Sequence, residues 1–276
     1  MGRRRLGAEL RRYRDAAGLT IDRVAHQLRC SASKISRIET GQTGASPRDV
    51  RDMLMLYQVS ETELVDLIEV ARDTRQRGWW RPYGSVLTGS YVGFEAAAQL
   101  IRTFEAQLVP SLLQTEEYAY QVIGARQPNL SPAEIKDRVR VKMARQTLLT
   151  QQEPVTFWCV LDEAVLARSI GGPPVMRRQL EHLCAVAELP NVTVQVLPFE
   201  HGAHIAMEGA FVLLSFPHRA DPDTVYLPTS TGGVFQEKAD KVAEFTLVFE
   251  TLQRAALAPE QSVEFLGGLA AKLPTP

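Results

Sequence analysis

Residues 18–41 read GLTIDRVAHQLRCSASKISRIETG. Thr20 is placed to cap a helix whose Ile21, Val24, Ala25 and Leu28 fall at i, i+3, i+4 and i+7 and so share one face. After a break at Arg29-Cys30, Ser31 caps a second short helix that runs through Ile35 and Ile38 and ends near Gly41. Ala32, Ser33, Lys34, Ser36 and Arg37 then point away from the Ile35/Ile38 face. Two short helices joined by a turn of about three or four residues, the second with small and basic residues outward, make a helix-turn-helix. Ala25 is small where the helices approach closely, and the Ser31 end offers unpaired N–H groups and the positive end of a dipole to phosphate. Short polar and basic side chains on the outer face fit a DNA major groove. A helical bundle with a solvated, charged face fits the same spacing, and spacing alone leaves that alternative open.

Working outward, Leu6, Leu10, Tyr13 and Ala17 recur at helical spacing and Gly18 supplies a stop, which predicts a helix ahead of the pair. Ser46, Pro47 and Asp49 form a capping box with proline at the first helical position, opening a helix with Val50, Met53, Leu54 and Tyr57 inward. Ser60 with Glu63 repeats the device for a fifth helix carrying Leu64, Leu67, Ile68 and Ala71.

Charge sets this segment apart from the rest of the 276 residues: 1–77 hold fifteen Lys/Arg against eleven Asp/Glu, whereas 78–276 hold sixteen against twenty-one. A basic head suited to an anion and an acidic body follow from that asymmetry. A hydrophobic fraction of 45% with 23% charged residues excludes wholesale disorder. No run approaches the roughly 18 apolar residues of a membrane span, and the arginine-rich start has no apolar segment behind it, so a cytoplasmic protein is expected. Cys30, Cys159 and Cys184 are odd in number and widely spaced, which predicts neither disulfides nor a zinc motif.

Beyond Arg77, the aromatic and proline-bearing stretch Trp79, Trp80, Pro82, Tyr83 reads as a junction. Tyr91, Phe94, Ala98, Ile101 and Glu105 suggest one helix, Thr115 to Ile123 a second, and the capping box at Ser131-Pro132-Ala133-Glu134 a third running toward Leu149. Short β-branched or apolar runs at 155–161, 192–197, 210–216 and 225–227 predict strands, with helices at 162–169, 174–188 and 239–257. The expected architecture is an all-α five-helix helix-turn-helix domain over 1–77 and a larger α+β domain over 78–276.

The stretch 18–41, with its Gly-Leu-Thr, inner Val-Ala and Ile-Ser-Arg-Ile-Glu-x-Gly, resembles the xenobiotic-response-element family of bacterial and phage repressors. The resemblance implies that Ala32, Ser33, Lys34, Ser36 and Arg37 face bases or nearby phosphates, that Thr20, Gln42 and Thr43 sit near the DNA backbone, and that Glu39 is structural. Two departures stand out: Ile21 where many members have a phosphate-binding glutamine, and Arg29 where many have glycine. The second implies a turn that either avoids a left-handed conformation or tolerates one at some cost. Of the contacts, Arg37 suits bidentate recognition of guanine, Lys34 suits guanine or phosphate, and Ala32 suits a thymine methyl. Arg3, Arg4, Arg5, Arg11, Arg12 and Arg14 supply sequence-independent attraction or a solvated helix face. Such a module reads a pseudo-palindromic operator in double-stranded DNA as a homodimer.

In the body, VPSLLQTEEYA (109–119), LDEAVL, QLEHL, PNVTVQVLPFEHG and FETLQRAAL with Ser262 resemble the C-terminal domain of actinobacterial antitoxin-like regulators, including those of the WhiJ type. That resemblance implies a small toxin-like partner protein encoded nearby. Ser111 stands where relatives commonly have glycine.

Catalytic chemistry does not emerge. His201 and His204 with Glu200 and Glu208 lack strong metal spacing and read as a loop, so no metal is expected. Asp162 and Glu163 read as an acidic helix start, His182 and Cys184 lack an orienting third group, and Gly171-Gly172-Pro173-Pro174 lacks the lysine of a phosphate loop. No catalytic residue and no cofactor are therefore assigned. The expectation is a sequence-specific DNA-binding transcriptional regulator, a repressor with a partner protein on the C-terminal domain; the alternative is a small-molecule sensor whose pocket is lined by the apolar strands of that domain and the Trp79/Trp80 pair.

Overall fold

The computed structural model describes residues 2–40, 45–59, 63, 64, 67, 91–217, 221–230 and 232–274. The chain divides into two compact units, residues 1–82 and 83–276.

In the first unit, α1 (Gly2–Ala16), α2 (Ile21–Gln27), α3 (Ala32–Glu39) and α4 (Pro47–Leu56) enclose a core of Leu6, Leu10, Val24, Ala25, Ile35, Ile38, Val50, Met53 and Leu54. Each break is punctuated by its sequence. Gly18 takes φ +65° after α1, Thr20 Oγ1 accepts from Arg23 N at 3.3 Å, and Ser31 Oγ accepts from Lys34 N at 3.2 Å. Ser46 and Asp49 form the reciprocal box at 2.9 and 3.1 Å. Caps of this kind contribute about 1 kcal/mol each. A Cβ on Gly7 would meet the carbonyl oxygens of Ile38 and Glu39 at 2.5 Å, so α1 lies directly on the last turn of α3. The expected count of five helices is not matched: four span the described residues, while the predicted fifth lies mostly outside them, with Glu63, Leu64 and Leu67 helical.

The second unit is α+β, with a six-stranded mixed sheet in the order β3-β2-β1-β4-β5-β6. Its strands are β1 (Leu100–Glu105), β2 (Thr156–Asp162), β3 (Val192–Leu197), β4 (Phe211–Ser215), β5 (Thr224–Thr229) and β6 (Gly232–Gln236). β1, β2 and β3 run parallel, and β4, β5 and β6 continue antiparallel from the other side of β1. Helix α5 (Tyr91–Ala97) precedes β1; α6 (Glu116–Arg126) and α7 (Pro132–Arg145) connect β1 to β2; α8 (Glu163–Ala167) and α9 (Pro173–Val186) connect β2 to β3. The chain closes with α10 (Ala239–Ala255) and α11 (Pro259–Lys272).

Here the single helix expected through Tyr91, Ile101 and Glu105 is corrected: the helix stops at Ala97, and 100–105 is the central strand. Period two decides its sides. Phe104 packs with Leu213, Val225, Phe249 and Leu252 against α10, which leaves Ile101, Thr103 and Glu105 on the opposite face. The edge strand β3 does not expose a free ladder at Val196, whose N–H donates to Ser262 Oγ at 3.0 Å and whose carbonyl accepts from Leu257 N at 2.9 Å.

Candidate nucleic-acid interface

α3 is held by two kinds of contact. Its inner residues Ile35 and Ile38 are fully buried, and its C-terminal Glu39 is gripped by Arg14 of α1. Arg14 Nε donates to Glu39 Oε1 at 2.7 Å and Arg14 Nη2 to Glu39 Oε2 at 2.9 Å. Arg14 Nη1 also donates to the Leu19 carbonyl at 2.8 Å, tying the start of the α2 segment to the same guanidinium. Burial opposes the charged form of Arg14, yet the Glu39 hydrogen bonds prevail and raise its pKa. Arg14 is thus a buried structural residue and leaves the arginine cluster with which the sequence grouped it. The signal was present: Leu6, Leu10 and Arg14 follow one another at i, i+4 and i+8, on the buried stripe.

The turn between α2 and α3 resolves the question raised by Arg29. Its φ is +51°, in the left-handed region, so the turn tolerates that conformation in a non-glycine residue.

The candidate contact residues are distributed unevenly over α3. Ser33 is exposed, with Oγ 3.1 Å from Ser31 Oγ. Arg37 is exposed and its Nε donates to the Ser33 carbonyl at 3.2 Å, leaving its terminal nitrogens without a hydrogen bond among the described residues. Ala32 is half-buried and packs against the core. Ser36 is half-buried, its carbonyl accepting from Thr40 Oγ1 at 2.8 Å. Lys34 is engaged within the fold: Nζ donates to Asp49 Oδ1 at 2.7 Å. Partial burial acts to raise the Asp49 carboxyl, but hydrogen bonds from Lys34 and Ser46 outweigh it and hold the pKa below the ordinary value.

Thr20 uses its hydroxyl as the α2 cap. Arg11 is exposed, 3.8 Å from Asp15 Oδ2, and Arg12 is turned onto Glu9 at 2.7 Å and over the Tyr13 ring. Gln42 and Thr43 lie outside the described residues, as do the side chains of Arg3, Arg4 and Arg5. The Lys34–Asp49 pair brings the first turn of α4 beside α3, and Arg48, exposed in that turn, is a cation that the sequence reading did not select. Its signal was the capping box itself, which sets Arg48 at the second helical position, at the positive end of α4.

In the second unit, the residues weighed for metal or acid–base chemistry are engaged structurally. His204 Nε2 is 3.3 Å from Asp162 Oδ2 and its Nδ1 accepts from Ala206 N, while Asp162 Oδ1 caps α8 at Ala164 N. Glu163 accepts from Phe199 N at 2.7 Å. Among the described residues no group of three or more His, Cys, Asp or Glu side chains is arranged to hold a metal ion, and no helix is long and apolar enough to cross a membrane.

Comparison with known families returns two matches. Residues 5–67 match a helix-turn-helix domain, the segment built around the α2–α3 pair. Residues 88–268 match a domain of unknown function, DUF5753, which takes in the whole mixed sheet. No curated protein and no solved structure matches the chain. With that match extending over more than half of its length, the chain belongs to the DUF5753 family and carries a helix-turn-helix domain ahead of it.

Proposed function

We propose that this protein is a sequence-specific transcriptional regulator that binds an operator in double-stranded DNA as a homodimer and acts as a repressor. The outward face of α3, with Ser33 and Arg37 exposed beside the Ser31-capped helix start, is the observation that carries the reading. Arg37 reads a base edge and Arg11 adds a phosphate contact that is indifferent to sequence. In this reading Lys34 positions α3 through Asp49, rather than reading DNA directly. A gel-shift comparison of the DNA upstream of its own gene with random duplex tests it: preference for the upstream DNA is expected, and equal affinity for both contradicts it.

The C-terminal unit receives the signal that sets DNA occupancy. Resemblance to antitoxin-like regulators supports a small partner protein encoded nearby, in the cytoplasm, as that signal. A second reading, in which the signal is a small molecule, is favoured by one specific observation: a cavity of about 940 Å³ within the C-terminal unit itself. That volume falls in the range of roughly 300–1,000 Å³ typical of small-molecule sites.

A further inference from the structure

The cavity lies on the sheet face opposite α10. Thr103 and Glu105 of β1 form its floor, with Val212 of β4 and Tyr226 of β5 aligned beside Thr103 by strand register. This is where the order of the sheet reverses: β1 has its successor β2 parallel on one side and the later β4 antiparallel on the other. Tyr91 and Tyr226, with ring centroids 4.5 Å apart, make an aromatic wall.

The charges around the cavity do not balance. Arg145 of α7 is neutralised by Glu95 of α5 through bonds of 2.8 and 2.6 Å. Lys142, one turn earlier on α7, has no such partner. Among the described residues its one hydrogen bond goes to Gln114 Oε1 at 2.8 Å, and Gln114 is neutral, its own Nε2 donating to the Val109 carbonyl at 2.6 Å. An ammonium carries three N–H donors, so two remain for whatever fills the cavity.

Glu105 also lines the cavity, and among the described residues no ion pair joins it to Lys142. Thr103 Oγ1 is 3.1 Å from Glu105 Oε1 and 3.1 Å from the Phe211 carbonyl oxygen. In both contacts the Thr103 hydroxyl donates, so neither pairs Glu105 with a cation. Burial pushes the Glu105 carboxyl up to about 8, against the opposing pull of the Thr103 hydrogen bond and of Lys142. Burial, with Arg145 and Arg126 adding to it and Glu105 and Glu95 opposing, pulls the Lys142 amine down to about 7, and an anion seated beside it favours the ammonium form. Arg126 and Arg168 stand exposed and add positive charge; among the described residues that line the cavity, Glu208 is the one exposed carboxylate.

We propose that this cavity binds a small organic anion, its carboxylate or phosphate seated on Lys142, Arg126 and Arg168 at the entrance, and its apolar body against Tyr91 and Tyr226. The proposal rests on the small-molecule reading of the C-terminal unit.

Calorimetry on the full chain with four probes that share a phenyl ring tests it: benzoate, phenyl phosphate, benzyl alcohol and benzylamine. At least one of the two anions is expected to bind about tenfold more tightly than benzyl alcohol, as a charge-assisted contact requires. Lys142→Met is expected to remove most of that advantage over benzyl alcohol. Arg168→Ala, at an exposed position where folding is not at stake, is expected to weaken it about threefold and leave benzyl alcohol unchanged. Anion binding undiminished in both variants overturns the proposal. Benzyl alcohol or benzylamine binding as tightly as the anions overturns the anion assignment and leaves the small-molecule reading standing. Failure of all four probes to bind the wild-type chain overturns both.

Discussion

Arg14 on α1 clasps Glu39 at the end of α3 through two parallel hydrogen bonds of 2.7 and 2.9 Å, with both side chains buried. The outward face of α3 therefore depends on an ion pair with no part in that face. Removing one partner of a buried pair leaves the other charge uncompensated, so Arg14→Ala is expected to cost about 3–5 kcal/mol. The double variant Arg14→Met/Glu39→Leu, which replaces the pair by apolar side chains, is expected to recover most of that loss. Urea unfolding of the three proteins, followed by circular dichroism, measures both.

Gly7 faces the carbonyls of Ile38 and Glu39 on the other side of the same contact. Gly7→Ala improves helix propensity yet places a methyl 2.5 Å from backbone oxygen, which cannot move without shifting α3. Overpacking should win over propensity, giving a net destabilisation of about 1–3 kcal/mol in the same unfolding measurement.

Arg29 offers the opposite case. It is exposed and holds φ +51°, a conformation that costs an L-residue roughly 1–2 kcal/mol. Arg29→Gly is expected to stabilise the first unit by about 1 kcal/mol, less whatever entropy the glycine adds to the unfolded chain. A lower unfolding midpoint for Arg29→Gly would contradict this account of the turn.

Two half-buried groups of the second unit titrate in opposite senses. Glu105 has its pKa raised from 4.5 to about 8, so the folded chain holds this proton more tightly; its contribution to stability is complete below 4.5 and is lost as pH rises to about 8. Lys142 has its pKa lowered from 10.5 to about 7, so between those values the unfolded chain binds more protons and stability rises with pH. Together they place a minimum of stability near pH 7 to 8. Thermal melts across pH are expected to lose the falling limb in Glu105→Gln and the rising limb in Lys142→Met.

The local signals of the first unit were open to sequence reading because they are local: Thr20, Ser31 and Ser46 cap the three helices that their spacing predicted. β1 was not, because a central strand is covered on both faces. Ile101, Thr103 and Phe104 are all buried, which erases the alternation that marks a strand, and the Tyr91–Phe94 helical signal ran into it. β6 escaped because its sequence opens with Gly232-Gly233, and α11 because its N-cap position holds Ala258, whose side chain accepts no hydrogen bond. On α3, the outward direction of Arg37 followed from the helical period, whereas the tether of Lys34 to Asp49 depends on how α4 returns, fifteen residues later. Lys142 reads as a solvated lysine on an amphipathic helix; only the cavity it lines, built from segments distant in sequence, half-buries it.

The most direct test of the central claim is a fluorescence-anisotropy titration of the full chain on its own upstream DNA and on random duplex, over a range of salt, for wild type, Arg37→Ala and Arg11→Ala. Arg37→Ala is expected to lose about 1–3 kcal/mol on the upstream DNA and little on random duplex. Arg11→Ala is expected to lose equally on both, with the logarithmic salt slope smaller by about 1. Equal affinity of the wild type for the two duplexes, or equal losses on both for Arg37→Ala, would contradict the reading of α3 as the element that recognises DNA sequence.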